Sequence, residues 1–266
     1  MPIKLIACDI DGTLVGHDLE FSARVLDAIR CAQESGIIVT IATGRGFPAT
    51  RPFTDQLGIH VPLICYQGAQ IKTPLGETIA ETAFPLEHLA RVDQFCREEG
   101  WELTVYYQDE IYHTIRQHEQ DYYDRWFGLP VHLVRDLLAE IPEEPVKFIA
   151  LAPSEEQGDH LEKQLRRCAA GQFQVLRSHP WFVEGLALEV SKGNSLACLA
   201  QMWGVSRGET MAIGDSGNDI SMLEWAGVGV AMGNAPPSVR KSATIVAPTQ
   251  SDDGAAWAIE KYALQS

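Results

Sequence analysis

The chain is short of positive charge. Its 266 residues carry 21 Lys and Arg against 36 Asp and Glu, for a formal net charge of −15. An imbalance of that sign repels nucleic acid phosphates and anionic lipid surfaces, so neither a nucleic acid nor a membrane is expected as a partner. A small anionic ligand would need a local exception, such as a metal ion or a focused lysine. The six cysteines (Cys8, Cys31, Cys65, Cys96, Cys168, Cys198) form no CxxC pair. Their wide spacing, mostly inside apolar segments, points to reduced, buried thiols in a cytoplasmic protein. The eight histidines show no HExxH or paired ligand spacing, which argues against zinc. At the amino terminus only Leu5 to Cys8 run apolar before an aspartate, too short for a signal-peptide core or a membrane span. There is no internal repeat and no low-complexity segment.

What is present is an ordinary globular composition, 45% apolar and 21% charged, in a chain long enough for one large domain or two modest ones. The stretch Lys4-Leu5-Ile6-Ala7-Cys8-Asp9-Ile10-Asp11-Gly12 reads as a buried strand ending in two carboxylates and a turn-permitting glycine. If the extended backbone persists past Asp9, alternation puts Asp9 and Asp11 on the same side at the carboxyl end of a sheet. Ser22 can cap a helix over residues 21–34, whose apolar Val25, Leu26, Ile29 and Ala32 keep the helical period, and Gly36 closes it. Residues 37–42 then make a second buried strand, giving a βαβ unit with a right-handed crossover. A further helix and a third strand over 61–66 repeat the unit, followed by a hairpin around Thr73-Pro74-Leu75-Gly76.

From about Phe84 the texture changes. A helix over 85–100, alternating aromatic runs over 101–107 and 110–115, a polar helix from His118 to Phe127, and later strands at 146–151, 173–177 and 182–188 predict a largely antiparallel sheet covered on one side. Parallel rhythm resumes with strands at 210–213, 228–231 and 244–246. The expected fold is α/β: a Rossmann-like parallel-sheet core formed by 1–83 and 187–266, with an α+β domain inserted over 84–186.

Four stretches fall where α/β folds place active sites, at or just beyond strand ends: Asp9-Ile10-Asp11-Gly12-Thr13, Thr43-Gly44-Arg45, Ser191-Lys192-Gly193 and Gly214-Asp215-Ser216-Gly217-Asn218-Asp219. Singly, Thr43 is readable as a helix cap, Lys192 as a surface amine and the Gly214 run as a turn. Jointly they supply a hydroxyl, an amine, backbone amides and at least three carboxylates, the inventory of a magnesium-assisted phosphoryl-transfer site. The insert's Trp101, Tyr106, Tyr107, Tyr112, Tyr122, Tyr123 and Trp126 are readable as a stacking surface, but alternation in strands favours packing. Arg45 and Arg116 are readable as contacts to a second substrate charge or as surface ion-pair partners.

The order DxDGT, TGR, SKG, GDSGND resembles the haloacid dehalogenase-like superfamily of phosphohydrolases. The long insert before the third motif, with Ala231-Met232-Gly233-Asn234-Ala235 and Asp252-Asp253-Gly254, is similar to its Cof-like branch, whose members carry a large α/β cap at this point. The resemblance implies Asp9 as nucleophile forming an aspartyl-phosphate, and Asp11 as the acid that protonates the leaving group and later activates water. It implies Mg²⁺ held by Asp9, the main-chain carbonyl of Asp11, and Asp215, with Asp219 orienting the metal's waters or Lys192. Thr43, the Gly44 amide, Lys192 and Asn218 would donate to the phosphoryl oxygens.

The chain departs from the pattern of many relatives at Gln67-Gly68-Ala69, where they have Asn-Gly-Ala, and at Gly185 to Val190, where a Pro and Gly turn is common. These changes bear on substrate contacts and hinge geometry. The implied function is a Mg²⁺-dependent phosphatase of small phosphorylated metabolites such as sugar phosphates, acting as a monomer or homodimer. A phosphosugar mutase using the same aspartyl-phosphate and a non-catalytic phospho-ligand binder are the alternatives.

Overall fold

The structure, a computed structural model, describes residues 2–116, 119 and 129–265. The chain divides into two compact units, one of Met1–Ala80 with Ser191–Ser266 and one of Glu81–Val190. In chain order the first part contributes β1 (Leu5–Cys8), α1 (Ala23–Glu34), β2 (Ile38–Ile41), α2 (Phe47–Leu57), β3 (Leu63–Cys65), β4 (Gln70–Lys72) and β5 (Thr78–Glu81). The second unit contains α3 (Leu86–Glu99), β6 (Glu102–Tyr107), β7 (Glu110–His113), β8 (Val131–Leu133), α4 (Leu137–Glu140), β9 (Lys147–Leu151), α5 (Glu155–Ala169), β10 (Gln174–His179) and β11 (Phe182–Leu186). The chain then returns with α6 (Lys192–Met202), β12 (Thr210–Gly214), α7 (Ile220–Trp225), β13 (Val228–Ala231), α8 (Pro237–Ser242), β14 (Ile245–Val246) and α9 (Gly254–Tyr262).

All four side chains of β1 are buried because the strand lies inside a five-stranded parallel sheet of order β14-β13-β12-β1-β2. Such a sheet is stable only with both faces covered. Leu5 and Ala7 pack with Leu196, Leu199 and Ala200 of α6 and with Met222 and Leu223 of α7. Ile6 and Cys8 alternate to the other face and are equally buried. Helix α1 begins where the Ser22 hydroxyl accepts from the Val25 amide and is followed by Gly36 at φ +81°, as its cap signals predict. From β1 the chain moves to β2 on one side, whereas β12 leads to β13 and β14 on the other. That reversal opens a crevice at the carboxyl ends of β1 and β12, the place where open α/β sheets bind ligands.

The third strand departs from expectation. β3 joins a separate sheet with β4 and β5 and touches the parallel sheet through one bridge, Ala42 to Ile64. Tyr66, Gln67 and Gly68 all take positive φ, which turns the chain back so that β4 runs antiparallel to β3.

The inserted unit is a six-stranded sheet of order β10-β11-β9-β6-β7-β8, antiparallel except for β7 with β8. Alternation sends Leu103, Val105, Phe148, Ala150 and Val183 to one face, against Leu89, Val92 and Cys96 of α3 and Leu161 and Leu165 of α5. Phe84, Phe148 and Phe173 meet edge to face at its centre, with centroids 5.1–5.9 Å apart. Trp101 and Tyr107 belong to this core and Tyr112 packs on it, so these aromatics are packing residues. The opposite face is mixed, setting buried Glu102, Thr104, Lys147 and Glu184 among Tyr106, Ile149 and Leu151, with Lys147 Nζ donating to Glu184 Oε2 at 2.5 Å. The expected helix from His118 to Phe127, and with it Tyr122, Tyr123 and Trp126, lies outside the described residues.

All six cysteines are free thiols. Cys8, Cys65 and Cys96 are buried, but Cys198 is exposed, because it falls on the outer side of α6. Among the described residues no helix is long and apolar enough to cross a membrane.

Phe148 carries the centre of the inserted unit's core, so Phe148→Ala is expected to destabilise that unit by about 3–5 kcal/mol. Urea denaturation followed by circular dichroism reads the loss; a shift below about 1 kcal/mol would show that the aromatic cluster is not what holds the unit.

Candidate active site

Asp9 continues β1 by one residue, its amide donating to the Ile213 carbonyl at 3.0 Å. There the extended path stops. The amides of Thr13, Leu14 and Val15 all turn back onto the Ile10 carbonyl, so strand alternation does not set the direction of Asp11. Asp9 is 5% exposed, whereas the Asp11 side chain is 48% exposed and pairs with Arg45. Arg45 Nε donates to Asp11 Oδ2 at 2.7 Å and Nη2 to Oδ1 at 2.6 Å, a two-pronged contact of the strongest kind for these groups. The guanidinium also lies over the Phe53 ring, 4.7 Å from its centroid.

Lys192 is fully buried, with Nζ 2.7 Å from Asp9 Oδ1 and 2.6 Å from Asp219 Oδ1. It does not follow a strand, as its motif suggested. It is the first residue of α6, and the Ser191 hydroxyl caps that helix by accepting from the Asn194 amide. The helix start can come this close to its neighbour because residue 193 is glycine: a Cβ there would sit 2.4 Å from the Ser221 carbonyl oxygen. The other oxygen of Asp219 accepts from the amides of Asp215 and Ser216 at 2.9 and 2.8 Å. One carboxylate thus ties the lysine to the loop after β12.

Asp215 faces the turn after β1. Thr13 Oγ1 donates to its Oδ1 and Asn234 Nδ2 to its Oδ2, each at 3.3 Å, and the same Asn234 amide donates to the Gly12 carbonyl at 2.9 Å. Gly12, at φ +79°, has no room for a side chain, since a Cβ would meet Asp215 Oδ2 at 2.4 Å. Oxygens of Asp9, Asp215 and Asp219 lie within 4.8 Å of one another.

Three crowded carboxylates stand around one buried cation, which pairs with two of them. Burial pushes the Asp9 carboxyl up, Lys192 opposes that shift and Asp219 adds to it. Burial, reinforced by Asp219, raises Asp215 to about 6, with the Thr13 hydroxyl pulling the other way. Burial pulls the Lys192 amine down, but Asp219 and Asp9 outweigh it and hold it above the ordinary lysine range. A cluster of oxygen donors with more negative charge than its one lysine balances is the donor set of a hard divalent cation, with no thiolate or imidazole in the group. The residues fit such an ion.

The remaining expected donors stand beside a residue whose role the sequence did not reveal. Thr43 is buried and its hydroxyl accepts from the Arg45 amide at 3.2 Å; the cap of α2 is Gly46, not Thr43. Gly44 lies against the side chain of Gln67, and Asn218 Nδ2 donates to Gln67 Oε1 at 2.6 Å. The structure therefore gathers Asp9, Lys192, Asp215 and Asp219 in one cluster, links Gly44 with Asn218 through Gln67, and holds Asp11 apart on Arg45. Gln67, Asn234 and Arg45 all sat inside motifs visible in the sequence, but nothing local gave their partners.

The profile described as haloacid dehalogenase-like hydrolase matches residues 6–259. The 5-amino-6-(5-phospho-D-ribitylamino)uracil phosphatase YcsE of Bacillus subtilis is 30% identical over 269 residues, covering 98% of this chain and 96% of the relative. A haloacid dehalogenase-like hydrolase from Bacteroides thetaiotaomicron superposes with a TM-score of 0.86 at 30% identity, covering 97% of this chain and 99% of that one. The subclass IIB sugar phosphatase BT4131 superposes with a TM-score of 0.82 at 25% identity, covering 97% and 98%. The chain belongs to the haloacid dehalogenase-like hydrolase family, in its Cof-like branch, a family of phosphatases.

Because the folded Asp215 binds its proton more tightly than an unfolded carboxyl at 3.8, its ionisation costs stability. Without metal this carboxyl binds more protons folded than unfolded between about pH 4 and 6, so its contribution falls as pH rises through that window. Asp215→Asn is therefore expected to melt higher than the wild type near pH 7 in chelator, with the gap closing near pH 4. A variant that melts lower than the wild type near pH 7 contradicts the assignment.

Proposed function

We propose that the protein is a Mg²⁺-dependent phosphatase that hydrolyses small phosphorylated metabolites through an aspartyl-phosphate on Asp9. The observation that carries this reading is the buried Lys192 joining Asp9 to Asp219 beside Asp215. Lys192 occupies Asp9 Oδ1, and Oδ2 makes no hydrogen bond among the described residues, which leaves it for attack on phosphorus. As the Asp9 oxygen bonds to phosphorus, the bond to the leaving-group oxygen breaks and Asp11 supplies the proton that oxygen needs. Water then attacks phosphorus, Asp11 takes its proton, and inorganic phosphate departs as Asp9 is regenerated. Arg45, stacked on Phe53, fixes where the Asp11 carboxylate waits, so the acid step requires Asp11 to leave that pair and take up a proton from solvent before it reaches the leaving group.

Thr43 has its oxygen engaged by the Arg45 amide, which turns its hydroxyl proton toward an acceptor elsewhere; a phosphoryl oxygen fits that need. The Gly44 amide, Lys192 and Asn218 complete the donors. Mg²⁺, held by Asp9, the Asp11 main-chain carbonyl and Asp215, would supply the positive charge that lets an anionic nucleophile approach an anionic phosphate. Asp219 keeps Lys192 and the 215–216 amides in place. The substrate class is supported by the net charge of −15, which disfavours polyanions, and by the small phosphorylated compounds named for the relatives.

The test is phosphate release from a panel of phosphomonoesters with Mg²⁺. Asp9→Asn should fold normally and lose at least about a thousandfold in turnover. Retention of most activity by that variant would overturn the covalent route, and isomer formation without phosphate release would favour a mutase.

A further inference from the structure

The turn after β3 holds an unusual run. Tyr66, Gln67 and Gly68 take φ of +49°, +63° and +102° in succession, two of them with side chains that rarely adopt this conformation. Strain of this kind persists only where the surroundings impose it, and it gathers at functional positions. Here the clamps are specific. The Tyr66 amide donates to the Arg45 carbonyl and the Gln67 amide to the Thr43 carbonyl, both at 3.0 Å, and Ser195 Oγ donates to the Gly68 carbonyl at 2.7 Å. The turn is thereby laced to the loop that carries two of the expected phosphoryl donors.

Gln67 is 6% exposed, and its two ends are unequal. Oε1 accepts from Asn218 Nδ2 at 2.6 Å. Nε2 makes no hydrogen bond among the described residues, although it lies so close to Gly44 that a Cβ on that residue would stand 2.6 Å from it. Asn218 Oδ1 is also buried without a partner. Unlike Asn218 Oδ1, Nε2 is not sealed from solvent, so an unspent donor held there by a clamped turn is open to an acceptor that arrives with the ligand. Gly44 lies beside Nε2, while the neighbouring Asn218 has its Nδ2 given to Gln67 Oε1 and its Oδ1 unpartnered. Because the turn is tied to the loop of Thr43 and Gly44, an acceptor that reaches Nε2 stands beside that loop, which suits a tetrahedral anion with several equivalent oxygens.

We propose that Gln67 is an additional phosphoryl-binding residue: its Nε2 donates to an oxygen of the phosphoryl group, while its Oε1 fixes the orientation of Asn218. The proposal rests on the phosphatase reading for the identity of the anion. It also gives a reason for glutamine at this position. The side chain must lie across Gly44 and still reach Asn218, and asparagine is one methylene shorter.

The test is calorimetric titration of the full chain, in Mg²⁺ buffer, with inorganic phosphate, alongside kcat and KM for an aryl phosphate. Gln67→Glu keeps the volume and the acceptor for Asn218 but replaces the donor by a negative charge. It should weaken phosphate binding by about tenfold to a hundredfold. Gln67→Asn tolerates the left-handed backbone at least as well, so it folds, and it should lose roughly tenfold through lack of reach. Both variants should melt within a few degrees of the wild type. If both bind phosphate within about twofold of the wild type and keep kcat/KM, Gln67 does not touch the anion and the proposal fails. If the wild type hydrolyses no phosphomonoester while Gln67→Glu still loses phosphate binding, the phosphatase reading fails and the anion site stands.

Discussion

A fully buried ammonium is the constraint on which the rest of the site depends. Stripped of water, Lys192 would be intolerable without charged partners, and it has two, Asp9 at 2.7 Å and Asp219 at 2.6 Å. Asp9 ends β1 near the start of the chain; Asp219 follows β12 and reaches back to the amides of residues 215 and 216. The ion triad therefore does more than balance charge. It selects one conformation for the tip of each central strand, and it leaves the second oxygen of Asp9 without a hydrogen bond among the described residues.

Convergence of this kind needs backbones that approach more closely than side chains allow. Gly12 gives Asp215 its place against the turn after β1, and Gly193 lets the first turn of α6 bring Lys192 past the Ser221 carbonyl. Once the tips are gathered, their carboxylates are too many for one lysine. Burial first, and the neighbouring carboxylates after it, raise the proton affinity of Asp9 and Asp215, and a hard divalent cation at the cluster would offset both. The charge of −15 overall thus has a local counterpart in this cluster.

Much of this was legible before the fold was known, because it depends on short-range pattern. A buried run closed by an aspartate and a glycine specifies a strand tip, and both Asp9 and Asp215 were found that way. The helix cap at Ser22 and the alternating core of the inserted sheet at Leu103, Val105, Phe148 and Ala150 follow from periods of 3.6 and 2. What could not be read was non-local. An apolar run at Leu63 to Cys65 does not announce whether its neighbour will be parallel, and the three positive φ values after it decide the matter. Ser191 is as good a helix cap as Ser22, so a helix start at Lys192 was legible, whereas its burial between two carboxylates was not. The pairing of Asp11 with Arg45, and of Gln67 with Asn218, joins residues 34 and 151 positions apart.

The claim that most needs a direct measurement is that the Lys192 cation holds the site together. Lys192→Met preserves the length and volume of the side chain while removing its charge, so Asp9 and Asp219 are left buried and unneutralised. Urea unfolding of the metal-free variant near pH 7 should show a loss of about 3–5 kcal/mol relative to the wild type, recovered in part as the pH is lowered and the carboxylates take up protons. A variant as stable as the wild type near pH 7 would contradict the account, because the two carboxylates would then need no cation between them.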